Sequence, residues 1–226
     1  TRDVALAGLA LVLAHALYLK HIHGGKNKND RIDSEKLAHL LRANLIPPAY
    51  VYPAARRPIR ALLRQRMSYV WQRSELLTHL SMNQMAQGLV PAAKCGHNRE
   101  VWEERILEQY ENPLHRFGAS RDMEIVKAYD AQIEMLDQKL EHLAKAYDER
   151  DYRLVLTTPG IGRVLGLTIL YEMDTVKRFP TDKDFLSYSR LVKGSVASAG
   201  KVKGLCGGKM GNAYLRWAFG EAAVIA

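Results

Sequence analysis

The chain has 226 residues, 47% of them apolar, which is enough for one large or two small packed domains. Its two cysteines, Cys95 and Cys206, are too few and too far apart for a disulfide framework or a zinc site, so a reducing cytoplasm is expected. The formal net charge of +9 favours a polyanionic partner, either a nucleic acid or a membrane surface.

The positive charge is concentrated in two blocks that flank an acidic middle. Residues 36–74 contain eight Lys or Arg and no acid, and residues 185–220 contain six Lys or Arg and no acid. Residues 99–151 contain fourteen acids against eight basic residues. This layout predicts two surfaces for nucleic acid joined by a spacer. A solvated basic face without a partner is the alternative for each block.

The first segment, VALAGLALVLAHALYL, superficially resembles a signal peptide. Asp3 and His15 do not fit that pattern, and the run is shorter than the ~20 residues of a membrane span, so neither secretion nor membrane insertion is expected. Residues 9–14 and 49–52 are predicted as strands on either side of a helix at about 33–43. This order predicts a partial α/β unit with a parallel sheet.

Two aspartates, Asp30 and Asp33, lie where that helix begins. At positions i and i+3 they project from one side of the helix and together can hold Mg²⁺ through oxygen ligands. The alternative is that one of them caps the helix, where a negative charge is favoured by the helix dipole. A two-metal site for phosphodiester chemistry needs further carboxylates from neighbouring strands.

The middle of the chain is predicted to be a helical scaffold. A long helix at about 58–84 carries an apolar stripe, and its start is crowded with arginines that are candidates for nucleic-acid binding. These are Arg56, Arg57, Arg60, Arg64 and Arg66. A short helix at 102–110 precedes a second long helix at 121–150, whose apolar residues from Val126 to Tyr147 alternate four and three apart. The two long helices are predicted to form a coiled-coil hairpin or to pair with another subunit.

The stretch TTPGIGRVLGLTIL predicts two helices joined by a tight turn. Gly160 and Gly162 allow the backbone to bring N–H groups close to a phosphate at the positive N-terminus of the second helix, residues 163–173. This is a helix-hairpin-helix pattern, which holds the nucleic-acid backbone without reading its sequence. A plain connection with no ligand is the alternative. Thr181 and Asp184 predict a capping box at a further helix.

A glycine-rich loop is predicted from residue 194 to Asn212, which should cap the last helix at 213–225. The loop contains no acid, and its backbone can approach phosphates closely. Its lysines are Lys201, Lys203 and Lys209. A serine among lysines can attack a phosphodiester if the charges stabilise the transition state. Serine is also a common turn residue, and nothing local distinguishes Ser198 from Ser195.

Several stretches in succession resemble one family. They are HGGKNKNDRIDSEKLAHLLRANLIPPAYVYP, then the basic helix and the coiled coil, then TTPGIGRVLGLTILYEM, RFPTDKDFLSYSRLV, SAGKVKG and GNAYLRWAFGEAA. In this order they resemble the bacterial insertion-sequence transposases of the IS110 group. Those enzymes have a RuvC-like DEDD domain and a serine-bearing transposase domain, and they are understood as RNA-guided recombinases. The resemblance covers almost the whole chain.

The resemblance implies that Asp30 and Asp33 are the last two acids of the Mg²⁺-binding DEDD set. It also implies that Ser198 is the nucleophile that becomes a 5′-phosphoserine linked to DNA. The basic helix and the coiled coil would help to bind the guide RNA and join subunits into a dimer or tetramer. The first two acids of the set have no counterpart before Asp30. The chain is therefore expected to lack half of the RuvC-like domain and to be inactive alone, while keeping its nucleic-acid affinity.

The sequence as a whole predicts a mostly α protein with a partial α/β unit. Residues 1–55 are expected to be the remnant of a RuvC-like (RNase H-like) domain, residues 56–150 the basic helix and coiled coil, and residues 151–226 the transposase domain with its helix-hairpin-helix. The expected function is Mg²⁺-dependent DNA strand cleavage and exchange, with DNA and guide RNA as partners and no membrane. A non-catalytic nucleic-acid-binding protein and a RuvC-like nuclease that does not use Ser198 are the alternatives.

Overall fold

The computed structural model describes residues 12–15, 18–19, 29–91, 99–198, 201–206 and 210–226. These residues are mostly helical, as the sequence predicts. The α-helices are α1 (Asp30–Arg42), α2 (Arg56–Ala86), α3 (Arg99–Glu108), α4 (Pro113–Tyr147), α5 (Glu149–Leu156), α6 (Arg163–Met173), α7 (Asp182–Tyr188) and α8 (Ala213–Ile225). Strands β1 (Gly194–Ser198) and β2 (Lys201–Cys206) form an antiparallel pair. None of the helices within the described ranges is long and apolar enough to cross a membrane.

The chain divides into two compact units. The first unit combines Thr1–Pro53 with Lys193–Met210, and the second combines Ala54–Val192 with Gly211–Ala226. The first unit therefore contains α1 and the β-hairpin, and the second contains α2 to α8.

Helix α1 begins earlier than predicted, and neither aspartate is its N-cap. Asn29 has an extended backbone, and its Oδ1 accepts a hydrogen bond from the backbone N–H of Ile32 at 2.9 Å. Asp30 and Asp33 lie in the first turn, where their charges interact favourably with the helix dipole. The prediction that one of them caps the helix is therefore wrong, because Asn29 already satisfies that orphan N–H.

The two predicted strands around α1 do not pair in parallel where the structure describes them. Ala14 and Pro48 form an isolated antiparallel bridge, next to which the backbone N–H of Ala49 donates to the Leu13 carbonyl at 2.7 Å. Proline has no N–H to donate, so it interrupts a ladder of backbone hydrogen bonds. The part of the first predicted strand before residue 12 lies outside the described residues.

The two long helices pack against each other within the chain, as one of the two sequence-based alternatives predicts. Helix α4 begins at Pro113, well before the predicted start, because Asn112 Oδ1 accepts from the Leu114 N–H at 2.9 Å and provides a cap. The predicted seam is buried at Val126 and Leu140, whereas Tyr147 is 75% exposed. The apolar seam therefore ends before the last residue that the sequence assigns to it.

Three apolar clusters stabilise the second unit. The first joins α2, α4, α5 and α6 around Leu63 and Leu140. The second surrounds Leu80 and Ile106, where α2, α3 and α4 meet. The third packs α6 on α8 around Leu215. Helix α6 contributes to the first and third clusters, and its residues 165–172 are all buried. An apolar helix buried on all sides is characteristic of a domain core.

The predicted bounds of α6 and α8 are confirmed. So is the capping box of α7, in which Thr181 caps the helix and the Asp184 carboxylate accepts from the Thr181 N–H at 3.1 Å. The predicted glycine-rich loop is wrong for residues 194–198 and 201–206, which form β1 and β2. Pairing the two strands satisfies backbone groups that an open loop would leave to water.

Candidate functional site

The first unit contains both segments that the sequence predicts to be catalytic. Asp30 and Asp33 lie in the first turn of α1, and Ser198 is the last residue of β1. In the hairpin register Ser198 is paired with Lys201, the first residue of β2. The acidic segment and the serine-bearing segment therefore belong to the same compact unit, although they are far apart in sequence.

The aspartate pair fits part of a magnesium site. Asp33 Oδ1 is buried and has no hydrogen-bond partner among the residues that the structure describes, while Asp30 is exposed. A buried carboxylate oxygen without a partner is costly, and carboxylate oxygens are the ligands that Mg²⁺ takes in proteins. Two carboxylates supply only part of a coordination shell. In the part of the chain that the structure describes, no group of three or more ligand side chains could hold a metal ion.

The hairpin presents positive charge close to Ser198. Lys201 and Lys203 are both exposed; Lys201 is paired with Ser198, and Lys203 lies at an irregularity of the register between the pairs Val196–Gly204 and Ala197–Val202. Lys209, the third predicted lysine, lies outside the described residues. An exposed pair of cations beside a serine provides positive charge where a phosphodiester would bind. The roles of Ser198 and the lysines remain predictions.

The arginines of α2 form intramolecular contacts that the sequence did not indicate. Glu172 on α6 has no exposed side-chain surface and accepts hydrogen bonds from two of them. Arg60 Nε donates to Oε2 at 2.9 Å, and Arg64 donates through Nε to Oε1 at 2.6 Å and through Nη2 to Oε2 at 3.0 Å. Asn212 Nδ2 also donates to Oε2 at 2.7 Å. These four residues are the Glu172 cluster.

The Glu172 cluster connects three helices. Asn212 caps α8, because its Oδ1 accepts from the backbone N–H groups of Tyr214 at 2.9 Å and Leu215 at 3.2 Å. Its Nδ2 at the same time holds the carboxylate on α6, to which the α2 arginines are also bound. Burial opposes ionisation of Glu172, but the hydrogen bonds and charges of the cluster outweigh it and hold the pKa of Glu172 below its ordinary value of 4.5.

Other arginines of α2 also pair with acids of the second unit. The pairs are Arg56 with Asp148 and Asp174, Arg66 with Asp137, and Arg73 with Asp130. Arg66 binds Asp137 in a bidentate manner, at 2.9 and 3.1 Å. Arg57 is exposed. The acid-rich middle of the sequence was the available signal, since it supplies Asp130, Asp137 and Asp148. That these arginines bind nucleic acid remains a prediction.

The two glycines of the predicted helix-hairpin-helix have different surroundings. Gly160 has φ of +78°, and a Cβ atom built there would collide with the Ala222 carbonyl oxygen and lie 3.1 Å from the Ala226 nitrogen. Gly162 is exposed, has φ of −83°, and an added Cβ would meet nothing within 4 Å. The packing of α8 explains Gly160 without a ligand. Nucleic-acid binding at this turn remains a prediction.

The C-terminal part of the chain is similar in sequence to insertion-sequence transposases. Residues 152–226 match the model of the transposase IS116/IS110/IS902 family. The match supports a transposase of the IS110 type. The matched region begins in α5 and includes the β-hairpin with Ser198. No curated protein matches the chain.

Proposed function

We propose that this protein is an RNA-guided DNA transposase that cleaves and exchanges strands through Ser198, with Mg²⁺ at an acidic site. The observation that carries the proposal is the transposase match over residues 152–226, which includes Ser198 and the lysines beside it. The grouping of the α1 aspartates with the hairpin in one compact unit supports it, because a serine nucleophile and an acidic site serve the same reaction. A cytoplasmic location is part of the proposal.

The chemistry follows from the side chains of the first unit. The Ser198 hydroxyl attacks a phosphodiester phosphorus, the bond from phosphorus to the 3′-oxygen breaks, and the serine proton passes to that leaving oxygen. The products are a 5′-phosphoserine and a free 3′-hydroxyl, and attack by another strand's 3′-hydroxyl completes the exchange. Lys201 and Lys203 stabilise the negative charge of the transition state. When bound by Asp30 and Asp33, Mg²⁺ supplies Lewis-acid stabilisation of the phosphate.

The proposal includes a homo-oligomer formed through the long helices and a RuvC-like origin for the first unit. Exposed apolar side chains at the end of the helix pair where α2 stops and α4 starts support the oligomer. They are Met82, Met85, Leu114 and Phe117, all at least 56% exposed. Apolar residues on a paired-helix surface favour association with further helices.

Replacing Ser198 by Ala is expected to abolish a covalent protein–DNA adduct. RNA that copurifies with the chain is sequenced first, and DNA complementary to it is synthesised with a 3′-label and one 3′-bridging phosphorothiolate. The thiolate leaves more readily than an alkoxide, so the attack depends less on a complete acidic site. The wild-type chain should give an SDS-stable labelled band, because the serine retains the 5′-phosphate end.

The matched control is Ser195→Ala, which changes the same hydroxyl elsewhere on β1 and should leave the adduct intact. An adduct that survives in the Ser198→Ala variant, or that disappears in the control instead, contradicts the assigned nucleophile. If no adduct forms with any variant while nucleic acid is still bound, the non-catalytic nucleic-acid-binding alternative is favoured. Ordinary phosphodiester DNA has the poorer leaving group and depends more on Mg²⁺ at the acidic site, so its strand exchange should be much slower than the reaction of the phosphorothiolate substrate.

Replacing both Lys201 and Lys203 by Ala is expected to weaken nucleic-acid binding without unfolding the protein. Both side chains are exposed, so the cost in stability should be about 0.5 kcal/mol or less. Each lysine that contacts a phosphate contributes about one unit to the dependence of log K on log salt concentration. Titrations over a range of salt concentrations should therefore show a slope smaller by about two in the double variant. Lys139→Ala, an exposed site on α4, should leave the slope unchanged.

A further inference from the structure

Trp71 and Tyr214 form an aromatic stack on the surface of the second unit. Their ring centroids are 5.9 Å apart and their planes are inclined by 17°. Trp71 lies on α2 and is 54% exposed, while Tyr214 lies in the first turn of α8. The pair therefore presents a large aromatic surface to solvent that is built from two different helices.

Contacts with Arg64 and Asn212 hold the tyrosine of the stack in place. The Arg64 guanidinium carbon lies 4.6 Å from the centre of the Tyr214 ring, and Arg64 is itself bound through two nitrogens to Glu172. The Tyr214 backbone N–H donates to the Asn212 cap. Because the Glu172 cluster fixes the tyrosine, a ligand that stacks on the pair does not have to order it first, and this preorganisation favours binding.

The surroundings of the stack are positively charged. Arg57, Arg60, Arg64 and Trp71 follow the spacing i, i+3, i+7 and i+14, so they lie on one stripe of α2. Within the Glu172 cluster, Arg60 and Arg64 share the one buried carboxylate of Glu172. The stack also joins the two acid-free blocks of the sequence, since Trp71 lies in residues 36–74 and Tyr214 in residues 185–220.

We infer that the Trp71–Tyr214 stack is a platform on which an unpaired base of the bound nucleic acid stacks, with the arginine stripe attracting the adjoining phosphates. Stacking on an aromatic ring is available to every base, so the platform should show little sequence preference. It should prefer single-stranded or bulged nucleic acid, since the bases of a duplex are already stacked on one another. The inference rests on the proposed function and adds to it a binding site within the second unit.

Binding by variants tests the platform directly. The whole chain is titrated into labelled 20-nucleotide oligo(dT), oligo(rU) and a duplex DNA of the same length, at one salt concentration. Trp71→Ala should weaken binding to the single strands by about tenfold, the range expected for the loss of one stacked base. Trp71→Phe keeps an aromatic face and should lose much less. Duplex binding should change little in either variant.

The control is Tyr147→Ala at the end of α4, which also removes an exposed aromatic ring, since Tyr147 is 75% exposed. It should leave binding unchanged. Loss of affinity in this control equal to that in Trp71→Ala overturns the platform. The oligo(dT) and oligo(rU) arms distinguish a DNA base from an RNA base, because the strand that uses the platform should show the larger loss.

Fluorescence supplies a readout that a change in folding would not produce. Trp102 and Trp217 pack against apolar clusters, so replacing both by Phe is conservative and leaves Trp71 as the one remaining tryptophan. A saturating single strand should quench Trp71, and an abasic strand of equal charge should not. Unquenched Trp71 at saturation overturns the platform while the proposed function stands. Failure of the unmodified chain to bind any nucleic acid overturns the proposed function, and the platform falls with it.

Discussion

Replacing Glu172 by Ala is expected to lower the free energy of unfolding by about 3–5 kcal/mol, as when one partner of a buried ion pair is removed. The carboxylate is fully buried and binds Arg60, Arg64 and the side-chain amide of Asn212. Without it, two guanidinium groups and an amide lose their acceptor, and the helices α2, α6 and α8 lose a common contact. Urea denaturation at neutral pH, followed by circular dichroism, measures the loss.

The matched control is Glu149→Ala, which removes a carboxylate from a surface pair. Glu149 is 53% exposed and lies 2.5 Å from Arg153 one helical turn along α5. Such pairs contribute about 0.3–0.5 kcal/mol, so this variant should unfold almost like the wild type. Equal effects of the two substitutions would show that the Glu172 cluster does not stabilise the fold. Glu172→Gln should fall between them, because it keeps one acceptor oxygen and loses the charge.

The Glu172 cluster also makes stability depend on pH in one direction. The pKa of the Glu172 carboxyl is lower in the folded protein than the value of 4.5 expected in the unfolded chain. The stabilisation is therefore fully present above pH 4.5 and is lost as the pH falls through the folded value, where the unfolded chain binds more protons. The wild type should lose stability over this acidic range more steeply than Glu172→Gln, when both are measured by urea denaturation at a series of pH values.

The parts of the fold that the sequence predicted well depend on local signals. Asn212 and the pair Thr181 and Asp184 cap helices through hydrogen bonds that span two or three residues, so the pattern of residue types nearly determines the structure. The start of α1 was harder to predict, because three potential caps lie within five residues and only the backbone conformation selects Asn29. The β-hairpin was missed because the many glycines of this segment indicated a loop. The two strands are stabilised by pairing with each other, and neither strand shows this in its own sequence.

At the candidate site, contacts between residues that are far apart in sequence were also not predictable. Arg60 and Glu172 are separated by 112 residues, and nothing near either residue indicates the other. The sequence therefore identified the arginines of α2 as a basic cluster but missed their carboxylate partner. The acid-free block at residues 36–74 suggested a nucleic-acid surface, and the structure adds that Arg60 and Arg64 bind the buried Glu172. Changing them to Ala would test stability and binding together, so Trp71 and Lys203 are better positions for separating the two.

Gly160→Ala is expected to destabilise the protein by about 2–5 kcal/mol. A non-glycine residue at φ of +78° costs roughly 1–2 kcal/mol, and forcing a methyl group into a packed site costs about 1–3 kcal/mol more. The added Cβ would collide with the Ala222 carbonyl oxygen, so the C-terminal turn of α8 would have to move away from the turn between α5 and α6. Thermal unfolding of the variant, followed by circular dichroism, should show the loss.

Gly162→Ala, two residues along the same turn, separates packing from ligand binding. Its φ of −83° suits alanine, and open space surrounds the new Cβ, so its stability should match or slightly exceed that of the wild type. If the turn holds a phosphate at the N-terminus of α6, a methyl group there should impair nucleic-acid binding in a protein that is fully folded, because close approach of the backbone would be obstructed. Unchanged binding in Gly162→Ala, together with the loss of stability in Gly160→Ala, would instead make this turn a purely structural connection that positions α8.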